Sequence, residues 1–188
     1  LAVNVNTYDI DHLIIANEMV KLTSIDTVGI VIITPNPFKN KSGLRDNHPR
    51  QEMVYLTCKE YDKLKPCDVE FKLPQPNYTA TTLARLEEDF PTNDFSLIMG
   101  EDNLMTFHKW KNYEVILERH TIYVYPRVQG GKLENRFKDH PKIIPLEAPI
   151  IELSSTFIRQ AVKEGKNITT MLPKKVWEYI DRMNFYRS

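Results

Sequence analysis

The chain has 188 residues, a length that suits one domain with a sizeable core. Its 25 Lys and Arg residues balance its 25 Asp and Glu residues, so a charged ligand has to be bound by local geometry rather than by a global field. Two cysteines are too few for a disulfide framework, and the longest aliphatic run, residues 28–33, is far short of a membrane span. We expect a cytoplasmic globular protein that binds neither nucleic acid nor membrane, and a homo-oligomer remains open.

Predicted strands and helices alternate along the chain. Short apolar runs predict strands at residues 2–6, 28–33, 69–73, 95–99 and 121–125. Apolar residues at helical spacing predict helices at 12–22, 49–59, 79–90, 112–119 and 176–183, with short helices after residue 100 and before residue 173 and another that opens near residue 155. Residues 34–48 and 127–142 are predicted to be loops. This alternation predicts an α/β fold with a parallel sheet and helices on both faces, in one domain over residues 1–188 with closing helices at about 168–186.

Three polar stretches follow predicted strands or extended runs. They are residues 34–39, residues 100–103 and residues 154–159. Ligands of open parallel sheets bind at the carboxyl ends of the strands, so this shared placement predicts a binding site.

The third stretch, Leu153 to Arg159, opens a predicted helix that ends near Gly165. Arg159 would lie in its first turn, where a cation faces the positive end of the helix dipole at a cost of roughly 0.3–1 kcal/mol. Free amides, hydroxyls and a guanidinium at a helix N-terminus are the groups that a phosphate needs. The alternative is a capped helix with a solvated arginine.

These residues resemble a known family. Leu153 to Arg159 resembles the Ile-Ser-x-Thr-x-x-Arg signature of the Rossmann-like nucleotidyltransferases. Four further stretches, at residues 77–83, 98–104, 107–110 and 172–176, are similar to nicotinate-nucleotide adenylyltransferase. The resemblance runs from residue 12 to about residue 186. It implies a Rossmann-like fold and the condensation of nicotinate mononucleotide with ATP, giving deamido-NAD and pyrophosphate, in NAD biosynthesis.

The resemblance implies a set of ATP-binding residues. Adenylyl transfer is an in-line displacement that needs no protein nucleophile, so catalysis rests on positioning and on charge stabilisation. Magnesium would arrive with ATP and be bound mainly by phosphate and water, and the scattered histidines argue against a dedicated metal site. His12 is the expected catalytic residue. The expected phosphate and ATP ligands are Ser154, Thr156, Arg159, Lys39, Gly100 and Asp102.

The nicotinate mononucleotide has its own expected residues. Trp110 would stack on the cationic pyridine ring, and Thr79 with the amide of Ala80 would bind the carboxylate. Asn36 and Arg127 also match positions of the family. The alternative for Trp110 is a core aromatic, and a surface ion pair would explain Arg127 nearly as well.

The opening segment departs from the family pattern Gly-x-Phe-x-Pro-x-His-x-Gly-His. Of its conserved positions only His12 matches, and Asp9 and Asp11 occupy places of a histidine and a glycine. Their charges would repel a triphosphate. Two alternatives therefore stay open beside the adenylyltransferase. One is a non-catalytic nucleotide-binding module that has lost the triphosphate site. The other is a pantetheine-phosphate adenylyltransferase, and Thr79 and Trp110 argue against it.

Overall fold

A computed structural model describes residues 10–32, 47–126, 137, 139–148 and 155–187. The helices are α1 (Ile10–Leu22), α2 (Asn47–Cys58), α3 (Thr79–Asp89), α4 (Glu101–Thr106), α5 (Tyr113–Arg119), α6 (Ser155–Lys163) and α7 (Lys174–Arg182). The strands are β1 (Val28–Val31), β2 (Leu64–Cys67), β3 (Leu97–Gly100), β4 (Ile122–Tyr125) and β5 (Ile143–Pro145). Short 3-10 helices span Val69–Lys72, Phe107–Lys109 and Thr169–Met171.

All strand pairs in the described residues are parallel. β1 pairs with β2, and β3, β4 and β5 form a second sheet in that order. Gly100 at the end of β3 is in register with Tyr125 at the end of β4, so the segments that follow both strands leave the same edge of the sheet. The predicted α/β fold with a parallel sheet flanked by helices is confirmed. The predicted strand at residues 2–6 lies outside the described residues.

One predicted strand was wrong. Residues 69–72 of this predicted strand form a 3-10 helix, and the strand lies just before it, at β2. Pro66 disfavours a strand in the sequence because it cannot donate a hydrogen bond to a ladder. In the described residues β2 pairs along one side only, with β1, and the flanking bonds are donated by Val28 to Lys63 and by Ile32 to Cys67. A proline is compatible with such a strand.

Two further details of the predicted elements need correction. The helix predicted over residues 79–90 ends at Asp89, so Phe90 follows it and is 52% exposed, whereas Leu83 and Leu86 are buried. The predicted loop at 127–142 is followed by β5, which was not predicted because it has only three residues and ends in a proline.

Two apolar clusters form most of the core. The larger one joins α1, β1, α2, β2, α6 and α7 to Ile98 of β3 and Tyr125 of β4, so both sheets contribute to it. The smaller one lies among α3, β3, α4, α5, β4 and β5. No helix in the described ranges is long and apolar enough to cross a membrane.

Helix α6 is stabilised by its buried apolar face and by a cap at its C-terminus. Its predicted apolar residues, Ile158, Ala161 and Val162, are all buried in the larger cluster. Gly165 has a φ of +67°, and its amide donates to Val162 while the amide of Lys166 donates to Ala161. This is the Schellman pattern of helix ends, in which glycine adopts the left-handed conformation at little cost. The expected end of the helix near Gly165 is thus confirmed.

Candidate functional site

Within the described residues, the first two amides of α3 have no hydrogen-bond acceptor. Tyr78 is the N-cap residue, with an extended backbone, and its carbonyl accepts from the amides of Thr81 and Thr82 at 2.9 and 3.0 Å. The amides of Thr79 and Ala80 precede these in the first turn, where helical geometry provides no backbone acceptor. No acidic residue occupies this turn. The arrangement suits a small anion such as a carboxylate.

Trp110 lies at the edge of an aromatic cluster. It follows the 3-10 helix Phe107–Lys109 and packs edge-on against the fully buried Phe107, with ring centroids 5.5 Å apart and planes at 70°. Tyr113 and Phe137 make similar edge contacts with Phe107, at 5.7 and 5.6 Å. Trp110 itself is only half-buried. Phe107 is a core aromatic, and Trp110, for which the sequence predicts either stacking on a ligand or a place in the core, packs against Phe107 and stays partly exposed.

The structure brings the start of α3 and Trp110 together. Ala80 and Trp110 both pack against the smaller apolar cluster. Lys111, the residue after Trp110, places its Nζ 4.3 Å from the centroid of the Tyr78 ring. We call the first turn of α3 with Tyr78, together with Phe107, Trp110 and Lys111, the ring end of the candidate site.

A buried carboxylate that sequence reasoning missed lies under the ring end. Glu70, only 5% exposed, accepts a 2.9 Å hydrogen bond from the hydroxyl of the buried Thr82. Asn77 donates its side-chain amide to the Glu70 backbone carbonyl at 3.0 Å and to the carboxylate at 3.4 Å. These bonds tie the 3-10 helix at 69–72 to the start of α3. Placing residues 69–73 in a strand concealed this role, since it gave no reason for Glu70 to face inward.

Gly100 and Asp102 lie where β3 ends and α4 begins. Gly100 is both the last residue of β3 and the N-cap of α4, with an ordinary extended backbone. Its contribution is therefore the missing side chain, which leaves room beside the sheet edge, rather than an unusual conformation. Asp102 is exposed in the first turn of α4.

Two of the four expected phosphate and ATP ligands that the structure describes lie near the start of α6, at its second and fifth residues. Thr156 is exposed and Arg159 is half-buried, and the guanidinium Nη2 of Arg159 donates to the Thr156 hydroxyl at 3.1 Å. Hydroxyl and guanidinium thus lie together at a helix N-terminus. We call residues 155–159 the phosphate end of the candidate site.

The other expected site residues fall largely outside the described residues. His12 lies in the first turn of α1, but its side chain is not described. Ser154, Lys39, Asn36 and Arg127 lie outside the described residues, although Ser154 directly precedes α6.

Neither cysteine has the properties of a nucleophile. Cys58 and Cys67 are free, and burial raises the pKa of the Cys58 thiol to about 11. Burial also raises the pKa of the Cys67 thiol above its ordinary value. Both thiols are therefore protonated near neutral pH, so a thiolate intermediate is disfavoured.

Comparison with known proteins first gives the class. The family model described as cytidylyltransferase-like matches residues 9–161, which include α1 with His12, all five strands and the first turn of α6. The chain therefore belongs to the cytidylyltransferase-like family of nucleotidyltransferases.

Close relatives then give the particular group. The chain is 60% identical to the probable nicotinate-nucleotide adenylyltransferase of Christiangramia forsetii, over 94% of this chain and 91% of the relative. It is 56% identical to the protein of the same name from Flavobacterium johnsoniae, over 97% of this chain and 95% of the relative. The solved nicotinic acid mononucleotide adenylyltransferase of Plasmodium falciparum, complexed with NaAD, shares the fold with a TM-score of 0.80 at 18% identity, over 98% and 94% of the two chains. The family and the fold implied by the sequence motifs are confirmed.

Proposed function

We propose that this protein transfers the adenylyl group of ATP to nicotinate mononucleotide, giving deamido-NAD and pyrophosphate. The observation that carries the proposal is the ring end, where the segment of the half-buried Trp110 meets the N-cap residue of α3 through Lys111, in a chain 60% identical to a probable nicotinate-nucleotide adenylyltransferase. The product is a precursor of NAD, so the enzyme acts in NAD biosynthesis. The cytoplasm is our prediction for its location.

In the proposed reaction an oxygen of the mononucleotide phosphate attacks the α-phosphorus of ATP. The bond from the α-phosphorus to the bridging oxygen of the β-phosphate breaks, and pyrophosphate leaves with that electron pair. No side chain forms a covalent bond, so the protein acts by alignment and by stabilising charge on the phosphates. Thr156 and Arg159 supply a hydroxyl and a guanidinium for the triphosphate at the N-terminus of α6.

The mononucleotide is bound at the ring end. Trp110 stacks on the pyridinium ring, and the cation–π interaction adds about 0.5–2 kcal/mol. The first-turn amides of α3, at Thr79 and Ala80, donate to the carboxylate. Asp102, exposed beside Gly100, is placed to accept from ribose hydroxyls.

The remaining site residues stay predictions. His12 is the proposed catalytic residue, with its backbone in the first turn of α1. Ser154 and Lys39 are proposed to bind phosphate, and Asn36 and Arg127 to bind the mononucleotide.

A divalent metal is expected with ATP in this family, and we propose Mg2+. The described residues contain no group of three or more His, Cys, Asp or Glu side chains placed to bind a metal ion. An ion that keeps its waters and is bound by phosphate oxygens fits such a site without a protein cage. It neutralises phosphate charge when bound, while Thr156 and Arg159 orient the same phosphates.

The non-catalytic module remains the alternative because of one observation in the sequence. Asp9 and Asp11 stand where the family has a histidine and a glycine, and neither side chain is among those that the structure describes. The module would bind nicotinate mononucleotide at the ring end but would not react it with ATP.

One experiment separates the two functions. Purified protein is given nicotinate mononucleotide and Mg-ATP, together and singly, and pyrophosphate release and thermal stability are measured. The enzyme releases pyrophosphate only from the mixture, and each ligand at about 100 times its dissociation constant stabilises the fold by about 2.7 kcal/mol. Stabilisation by the mononucleotide alone, with no pyrophosphate from the mixture, would establish the module instead. Size-exclusion chromatography with light scattering on the same sample measures the molar mass in solution and so tests for a homo-oligomer.

A further inference from the structure

Lys111 adds a positive charge to the ring end. Its Nζ lies 4.3 Å from the centroid of the Tyr78 ring, well within the range of about 6 Å over which a cation is attracted to an aromatic face. Tyr78 is the N-cap residue of α3. The ammonium group therefore contacts the side chain of the residue that directly precedes Thr79 and Ala80.

This charge is not neutralised by a neighbour. Lys111 forms no ion pair with any residue that the structure describes. It contacts the ring of Tyr78. The first turn of α3 carries no acidic residue. A carboxylate does lie nearby in Glu70, which accepts from the Thr82 hydroxyl in the same helix. Without a cation, that buried negative charge would oppose a second carboxylate at the helix start.

The start of α3 favours a negative group, but its amides can also donate to the neutral form of pyridine mononucleotide. Nicotinate carries a carboxylate where nicotinamide carries a carboxamide, and both groups offer an oxygen that accepts from a backbone amide. The forms differ chiefly in charge, because only the carboxylate is negative. A nearby ammonium lowers the free energy of the charged acid form more than that of the neutral amide form.

We propose that Lys111 is a specificity-determining residue whose ammonium group selects nicotinate mononucleotide over nicotinamide mononucleotide. The inference rests on the proposed function, because it needs the pyridine ring to lie between Trp110 and the start of α3. It deepens that function by naming the group that reads the charge of the substrate.

The chain offers a matched control for the test. Lys109 lies two residues away in the same segment, is exposed like Lys111, and is the last residue of the 3-10 helix rather than a neighbour of the Tyr78 ring. Lys111→Met and Lys109→Met remove the same charge from nearly the same place. Lys111→Arg keeps the charge and its preference for an aromatic face.

The dissociation constants of both mononucleotides are measured by calorimetry for the wild type and the three variants. In Lys111→Met the preference for the nicotinate form should fall roughly two- to fivefold, as expected of a solvent-exposed charge pair, through weaker binding of that form alone. Lys109→Met and Lys111→Arg should keep the wild-type preference. Raising the salt concentration from about 50 to about 500 mM should reduce the preference of the wild type but not that of Lys111→Met.

Three outcomes would overturn the proposal. They are an unchanged preference in Lys111→Met, an equal loss of affinity for both mononucleotides, and the same change in Lys109→Met as in Lys111→Met. Binding needs no turnover, so the test is distinct from that of the proposed function. A wild type that prefers nicotinate mononucleotide through Lys111 but releases no pyrophosphate supports this inference and refutes the adenylyl transfer, whereas a wild type that binds neither form refutes both.

Discussion

The ring end and the phosphate end both begin at a helix N-terminus, but the protein supports them in different ways. Under the ring end lie the buried Glu70–Thr82 hydrogen bond and the edge-packed rings around Phe107. At the phosphate end, the start of α6 presents an exposed threonine and a half-buried arginine three residues apart, joined by a 3.1 Å hydrogen bond. The described bond under the ring end thus joins residues 12 apart in the sequence, whereas the described bond at the phosphate end joins residues three apart.

This difference follows from what each ligand offers. An aromatic ring is recognised by shape and by one flat face, so its partner has to be fixed in orientation before the ligand arrives. A triphosphate offers several charged oxygens, and a guanidinium on a helix start binds them without a rigid pocket around it. We therefore expect substitutions at the phosphate end to change activity with little effect on stability, and substitutions beneath the ring end to change both.

The largest effect is expected from Arg159→Gln. Loss of one charged group that stabilises transferring phosphate lowers the rate by about 100- to 1,000-fold, or about 2.7–4 kcal/mol. The free energy of unfolding should stay within about 0.5 kcal/mol of the wild type, because Arg159 is only half-buried and its cation lies near the positive end of the helix dipole.

Steady-state kinetics and chemical denaturation measure the two quantities for Arg159→Gln. Lys163→Gln is the control, since Lys163 is exposed in the last turn of the same helix, where a cation favours the dipole. It should lose a little stability and no activity. If Arg159→Gln instead unfolds several degrees earlier without ligand, the arginine is structural and the comparison of the two ends fails.

The second effect concerns Trp110→Ala. Loss of the stacked face and of its cation–π contact should weaken binding of nicotinate mononucleotide by about 1–3 kcal/mol while leaving the binding of Mg-ATP unchanged. Calorimetry with each ligand measures this. Trp177→Ala removes the other tryptophan, half-buried in α7, and controls for the loss of a large ring from the fold. Equal affinity of wild type and Trp110→Ala for the mononucleotide would contradict the stacking role.

The phosphate end was the more predictable of the two from the sequence. Its residues are close along the chain, so the apolar spacing of Ile158, Ala161 and Val162 predicted both the helix and its buried face, and Gly165 predicted its end. The parallel fold was equally accessible, because strands and helices alternate. The family was recognisable from short ordered motifs, and the comparisons confirm it.

The support of the ring end was not predictable from local pattern. Glu70 and Thr82 are 12 residues apart, and Val69 to Leu73 has the composition of a strand although it forms a 3-10 turn. Whether such a segment forms a strand or a 3-10 helix depends on its partners elsewhere in the chain. Here β2, just before the segment, pairs with β1. The contact between Lys111 and Tyr78 joins segments 33 residues apart (111 − 78) for the same reason. Local periodicity carries no information on such contacts.

The smallest of the three effects tests that hidden support. Glu70→Ala removes the acceptor of the buried Thr82 hydroxyl and should cost about 1–2 kcal/mol of unfolding free energy, with the Tyr78 carbonyl, 3.3 Å from the same hydroxyl, as a weaker substitute acceptor. Because the start of α3 is then less firmly placed, the Michaelis constant for nicotinate mononucleotide should rise while that for ATP stays constant.

Glu70→Gln keeps an oxygen for Thr82 and removes a buried charge, so its stability should lie within about 0.5 kcal/mol of the wild type and its kinetics should be restored. Glu88→Ala, an exposed change near the end of α3, should alter neither the stability nor the Michaelis constant for nicotinate mononucleotide. If Glu70→Gln is as unstable as Glu70→Ala, the negative charge itself is needed under the helix start, and the ring end depends on electrostatics rather than on the hydrogen bond.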